Sequence, residues 1–291
     1  MADHVMTLSS GRKLGYAEYG DPSGMPMFYF HGWPSSRLQG ELMHEVGTHR
    51  GLRVIAPDRP GIGLSEFQPG RGLRDWPPVL AELAEHLGWD RFHVLAVSGG
   101  GPYALATAHA MPERVLSAGV VCGAPPLRNV GTDGLMWTYR LALWAQQRVP
   151  MLLAPGLAVA AQMLKLPQDS LPMRTYVRAL GERDRLAMGN PELYRMLMES
   201  GRACLRSSAR GVTMDGNIYT SDWGIDLNEV RFPIRYWHGA LDRNIPPALV
   251  ERFVRQIPNA RLSMLEDEGH YSLPLLNNGE IVAELLAQGE A

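Results

Sequence analysis

The stretch Phe92-His93-Val94-Leu95-Ala96-Val97-Ser98-Gly99-Gly100-Gly101-Pro102 decides how this chain is read. Its apolar run stops abruptly at a serine and three glycines, and a second apolar segment follows until Pro112. A short continuous apolar run suits a strand buried on both faces, and Pro102 suits a helix start. A serine between a buried strand and a helix is carried on a sharp turn with its hydroxyl exposed. Its neighbours must be small because the two backbones nearly touch there. The usual pattern has glycine two residues before the serine; Ala96 takes that place here and is small enough to serve. A glycine-rich phosphate cradle is the competing reading, but no Lys-Ser/Thr pair follows.

The same rhythm extends outward. Buried strands are expected at Met25 to Phe30, Leu52 to Ala56, Val115 to Cys122, Ile234 to His238 and Arg261 to Leu265. Helical faces fall between them at Leu38, Leu42 and Val46, at Val79, Leu80, Leu83 and Leu87, from about Pro247 to Gln256, and at Ile281, Leu285 and Leu286. Val5 to Leu8 and Leu14 to Tyr19 read as a hairpin around Ser10-Gly11. The alternation predicts an α/β fold: a mostly parallel sheet of about eight strands with helices on both faces.

Residues 127–229 break the pattern. They contain no convincing buried strand, and helices are expected at Leu135 to Gln147, Met151 to Leu164, Pro172 to Leu180 and Pro191 to Leu205. This segment carries 8 of the 15 methionines. Methionine adapts to irregular apolar surfaces, so the segment reads either as ordinary helix packing or as an adaptable lid. The predicted organisation is a core domain of residues 1–126 and 230–291 with an all-α cap inserted at 127–229.

A serine nucleophile needs a base, and the base needs an orienting carboxylate. His270, in Glu268-Gly269-His270-Tyr271, follows the last expected strand. Asp242, in His238-Gly239-Ala240-Leu241-Asp242, follows the strand before it. Ser98, Asp242 and His270 thus each lie just past the carboxyl end of a strand, and a parallel sheet gathers such ends on one edge. His31-Gly32-Trp33-Pro34 follows another strand on that edge, so the amides of Trp33 and Gly99 are candidate oxyanion donors. His31 itself is read as a structural histidine and Asp58 as a loop organiser. Asp215, Asp222 and Asp226 are rival acids, but none follows a strand, and Cys122-Gly123-Ala124-Pro125 holds no carboxylate. The other histidines lack ligand spacing, so no metal site is read.

With these motifs in place, the chain resembles the α/β-hydrolase fold superfamily. The motifs are His31-Gly32-Trp33-Pro34, Asp58-Arg59-Pro60-Gly61-Ile62-Gly63-Leu64-Ser65, Ala96-Val97-Ser98-Gly99-Gly100, Gly239-Ala240-Leu241-Asp242 and Gly269-His270. In that family the insertion after the sixth strand is a helical cap. The resemblance implies a serine hydrolase of esterase type acting on a small to medium apolar ester without a cofactor. One fold hosts many reactions, so C–C bond, thioester or amide hydrolysis, a lyase, a cofactor-free oxygenase and a ligand-binding protein stay open. Serine at 98 argues against the carboxylate nucleophile of haloalkane dehalogenases and epoxide hydrolases. Candidate pocket residues are Trp33, Met136, Trp137, Leu141, Trp144 and Tyr271, although a helix stripe of this kind serves equally in packing. The insertion is expected to set the substrate and to contribute little to the chemistry.

Composition bounds the rest. A chain of 291 residues, 45% hydrophobic and 20% charged, can bury a large core. A net charge of −2 gives no pull toward nucleic acid or an anionic membrane. Two cysteines cannot build a disulfide framework. The beginning lacks a basic and then apolar leader, and the longest apolar stretch, Met151 to Ala161, is too short for a bilayer. A cytoplasmic monomer or homodimer with a small-molecule substrate is expected.

Overall fold

A computed structural model describes residues 2–149, 153–206 and 209–289. Its eight strands are β1 (Ala2–Thr7), β2 (Lys13–Gly20), β3 (Met25–Phe30), β4 (Leu52–Pro57), β5 (Phe92–Val97), β6 (Val115–Val121), β7 (Ile234–Gly239) and β8 (Ala260–Leu265). They form one sheet in the order β1-β2-β4-β3-β5-β6-β7-β8. The β1–β2 and β2–β4 pairs are antiparallel and all others parallel; the parallel pairs from β5 onward are joined by helical crossovers.

Alternating side chains split each central strand between two cores. Phe28 and Phe30 of β3 and Val94 and Ala96 of β5 face one apolar cluster. Met27, Tyr29, Leu95 and Val97 face the other. The first cluster is covered by helices α2 (Trp76–His86) and α3 (Gly101–Ala110). The second is covered from the segment before α1 (His44–Arg50), where the expected helix from Arg37 begins as a 3-10 turn over Arg37–Met43.

Between β6 and β7 the described residues form no strand but seven α-helices, α4 (Leu127–Val130), α5 (Trp137–Arg148), α6 (Leu153–Met163), α7 (Leu171–Ala179), α8 (Glu182–Gly189), α9 (Pro191–Cys204) and α10 (Ala209–Thr220), and a 3-10 turn at Leu227–Glu229. The expected helix start at Met151 lies outside the described residues. Helices α4, α8 and α10 were not foreseen; Gly189-Asn190-Pro191 and the glycines of α10 read as breaks in the sequence. Helix α11 (Pro247–Val254) covers the first core, and α12 (Ser272–Leu276) and α13 (Asn278–Gly289) complete the second.

The strand order reverses at β3, which has β4 on one side and β5 on the other. A crevice opens at the carboxyl ends of strands at such a switch point. The loop after β3 carries His31 to Trp33, and the turn after β5 carries Ser98.

Candidate active site

Ser98 is the first residue past β5, with φ +51°. This left-handed backbone is uncommon for a residue with a side chain and costs on the order of 1–3 kcal/mol, which the surroundings must offset. Close packing holds the turn. A Cβ on Gly99 would strike Trp33 Cβ at 2.6 Å, and one on Gly100 would meet the Phe30 and His31 backbone. Alanine at 96 is fully buried within β5, so the small residue before the turn is accommodated in the sheet.

The loops after β7 and β8 bring two more side chains to this turn. His270 Nε2 lies 3.1 Å from Ser98 Oγ, and His270 Nδ1 lies 2.7 Å from Asp242 Oδ2. Asp242 Oδ1 accepts the backbone N–H groups of Asn244 and Ile245, each at 2.8 Å, which fixes the carboxylate. With Nδ1–H donated to Asp242, Nε2 presents its lone pair to the serine hydroxyl. Burial pulls the His270 pKa down, but the charge and hydrogen bond of Asp242, with the charge of Asp184, raise it above its usual value. Burial pushes the Asp242 pKa up, and the His270 contact outweighs this and holds it below the usual range.

Two backbone amides complete the arrangement. Gly99 N–H stands at the start of a 3-10 turn, where no intrahelical acceptor exists. Gly32 N–H donates to Gln39 Oε1 at 2.7 Å and is engaged. Neither Trp33 N–H nor Gly99 N–H donates to another group among the described residues. Arg59 supports this loop from beneath, donating to His31 O at 2.6 Å and Gly32 O at 2.8 Å. Burial and the Arg59 charge hold the His31 pKa well below its usual value, so His31 is a neutral structural ring.

A cavity of about 40 Å³ adjoins Ser98 and Gly99. Trp33, Leu135, Tyr139, Leu143, Tyr219 and Ile245 form much of its apolar wall. The expected pocket stripe is corrected here. Trp137, Leu141 and Trp144 are 70%, 53% and 54% exposed and point to solvent. Helix α5 has two apolar stripes, and Tyr139 and Leu143, four residues apart, are on the inward one. Met136 is half-buried and does not line the cavity; its N–H donates to Asn244 O at 3.0 Å. Tyr271 is beside His270, edge-on at 5.5 Å, but its hydroxyl meets Tyr176 at 2.6 Å rather than the cavity.

Asp215, Asp222 and Asp226 are away from His270. Asp215 pairs with Arg59, Asp222 accepts from Gly224 N–H and Asp226 from Asn228 N–H. Asp184 of α8 bonds the loop carrying His270, and Arg59 bonds the loop carrying Trp33; no local sequence pattern marks either role, because the partners lie far along the chain. Cys122, Asp242 and His270 offer ligand atoms within 4.8 Å of one another, the one such group among the described residues. The Asp242 and His270 atoms already bond each other, and burial pushes the Cys122 thiol pKa well up. No described helix is long and apolar enough to cross a membrane.

An eight-stranded, mostly parallel sheet with a serine on the turn after β5 defines a class of hydrolases, and the comparisons agree. Residues 27–285 match the alpha/beta hydrolase family model, and the chain belongs to that family. A non-heme chloroperoxidase of Streptomyces lividans is 34% identical over 137 residues, 45% of this chain and 49% of that protein. Such alignments span about half of these relatives' length or less. A pimeloyl-[acyl-carrier protein] methyl ester esterase of Aromatoleum aromaticum is 28% identical over 81% of this chain and 86% of its own. The structure of a thermophilic esterase from Thermogutta terrifontis covers all of both chains with a TM-score of 0.68 at 20% identity, a likeness of fold.

Proposed function

We propose that this hydrolase cleaves carboxylic esters with a short apolar acyl group through an acyl-enzyme intermediate. The observation that carries the reading is the unbroken relay Asp242–His270–Ser98, at 2.7 and 3.1 Å, beside two free amides and an apolar cavity. Ser98 Oγ attacks the carbonyl carbon as its proton passes to His270 Nε2. Asp242 holds the imidazole tautomer and stabilises the imidazolium. The tetrahedral oxyanion accepts hydrogen bonds from the Trp33 and Gly99 amides. Collapse expels the alcohol, which takes the proton from His270. Water then attacks the acyl group as His270 takes one of its protons, and that proton passes to Ser98 Oγ as the second tetrahedral intermediate collapses and the acid leaves.

The cavity volume limits the acyl group. About 40 Å³ is room for a few water molecules, well under the roughly 300 Å³ of the smallest drug-sized sites. A small acyl group fits against Leu143, Tyr139 and Tyr219, with the alcohol directed outward. The relative named for a methyl ester, aligned over 81% of this chain, supports an ester over an amide. Serine at 98 supplies no carboxylate nucleophile for dehalogenation or epoxide opening. The inserted helices 127–229 act as a cap that supplies part of the wall of the acyl pocket, through Leu135, Tyr139, Leu143 and Tyr219.

A panel of p-nitrophenyl esters from acetate to decanoate, run beside thioesters and anilides, tests the reading. Turnover should be highest for the short esters. Turnover of anilides or thioesters with no ester cleavage would overturn it.

A further inference from the structure

Asp184 is fully buried in α8 of the inserted helices and makes no ion pair among the described residues. Its carboxylate is directed instead at the loop carrying His270. Oδ2 accepts the backbone N–H of His270 at 3.2 Å, and Oδ1 accepts those of Tyr271 at 2.9 Å and Ser272 at 2.8 Å. Gly269 is required beside it, because a Cβ there would run into this carboxylate. Two further contacts join the same segments: Arg183 donates to Glu268 at 2.8 Å, and the hydroxyls of Tyr176 and Tyr271 lie 2.6 Å apart.

We propose that Asp184 is a positioning residue: through three successive amides it holds the His270 loop where the imidazole reaches both Ser98 and Asp242, and it adds a second negative charge beside the imidazole. The inference rests on the serine-hydrolase reading and extends it, because it gives the cap a part in the chemistry. A carboxylate buried without a countercharge is costly unless hydrogen bonds satisfy it, and the three amides do so. Among the described residues the groups facing His270 are these. Asp242 holds Nδ1, Ser98 faces Nε2, Cys122 is within 4.8 Å, and Tyr271 presents its ring edge. His238 stands across Asp242, and burial keeps its pKa low. Asp242 and Asp184 are the anions of this set, and both raise the His270 pKa.

Asp184→Asn removes the charge at nearly constant shape and keeps one oxygen for Tyr271 and Ser272, but turns an amide donor toward the His270 N–H. It should lower kcat by about 10- to 100-fold, the scale of a small misplacement of a catalytic group, with KM changed less than about twofold. The acid limb of kcat/KM and the NMR titration of the His270 ring should both move to lower pH. The same titration shift should appear in Ser98→Ala protein, where no turnover is needed. An unshifted His270, whether kcat is unchanged or falls with stability alone, would make Asp184 an ordinary anchor and overturn the proposal. If Asp184→Asn does not fold, Gly269→Ala, which displaces the carboxylate from the same amides, is read on the same two measures, and an unshifted His270 there overturns it equally. Ester turnover by Ser98→Ala would instead sink the serine-hydrolase reading, while the ring titration still reports on Asp184.

Discussion

Arg59 and Asp215 meet across the seam between the sheet and the inserted helices, Nε to Oδ2 at 2.8 Å, with both side chains buried. Asp215 Oδ1 accepts the Tyr103 hydroxyl at 2.8 Å and a hydrogen bond from Arg71. The Arg59 groups that do not face Asp215 hold His31 O and Gly32 O. One guanidinium thus ties α10 to the loop that presents the Trp33 amide.

Removing Asp215 leaves two buried guanidinium groups unpaired. Asp215→Ala should destabilise the fold by about 3–5 kcal/mol, the cost of breaking a buried ion pair from one side. Burial pushes the Asp215 pKa up, but Arg59 and Arg71 outweigh it and lower it from 3.8 to about 2. The folded pKa is below the unfolded one, so this contribution is fully present above about pH 4 and is lost as pH falls through about 2. Urea denaturation at pH 7 and pH 2 checks both statements: the gap between wild type and variant should be wide at pH 7 and narrow at pH 2.

Ser98→Ala should lower kcat by roughly 10⁴- to 10⁶-fold, as for loss of a nucleophile acting within a unit. A fluorophosphonate should attach at Ser98, and peptide mapping of the labelled protein locates the adduct. Attachment at another serine would remove Ser98 from the reaction.

Asp242→Asn should cost about 10⁴ in kcat, because an amide at this place favours the wrong imidazole tautomer. Asp222→Asn and Asp226→Asn should stay near wild type, since each carboxylate only braces its own turn. Steady-state kinetics on the three variants compares them directly.

His270 must be neutral to take the serine proton. Its pKa is raised by Asp242 and Asp184 above the ordinary value of 6.5, so protonation sets in at a higher pH than for a free imidazole. The acid limb of kcat/KM should therefore have its midpoint above 6.5. A midpoint below 6.5, or a flat profile from pH 5 to 8, would contradict the assignment of His270 as base.

The fold was legible because buried parallel strands are short apolar runs, and each ended on a motif. Ser98, Asp242 and His270 could be placed on one edge because that is where a parallel sheet puts the residues after its strands. The wall of the cavity was not legible. Helix α5 carries Trp137, Leu141 and Trp144 on one side and Tyr139 and Leu143 on the other, so hydrophobicity alone could not say which side turns inward. Asp184 and Asp215 were opaque for another reason. Their partners are backbone amides 86 to 88 residues away and arginines 144 and 156 residues away, contacts that exist only after the chain has folded.

The two sides of α5 can be told apart by kinetics. Leu143 is buried against the cavity beside Ser98, whereas Trp144, one residue on, is 54% exposed. Leu143→Ala removes three carbons from the wall and lets a longer acyl chain occupy the space. Each buried methylene is worth about 0.8 kcal/mol, close to fourfold in kcat/KM, so two or three added carbons should shift preference by about 15- to 60-fold. The optimum should move from the shortest esters toward butyrate or pentanoate, while acetate, whose single methyl also packs on Tyr139 and Tyr219, changes least. Trp144→Ala should leave the ratio of hexanoate to acetate within about twofold, since its ring lies in solvent and a surface change without a buried partner is small. If Trp144→Ala altered the chain-length profile and Leu143→Ala did not, the acyl chain would run along the outer side of the helix, and the cavity beside Ser98 would not be the acyl pocket.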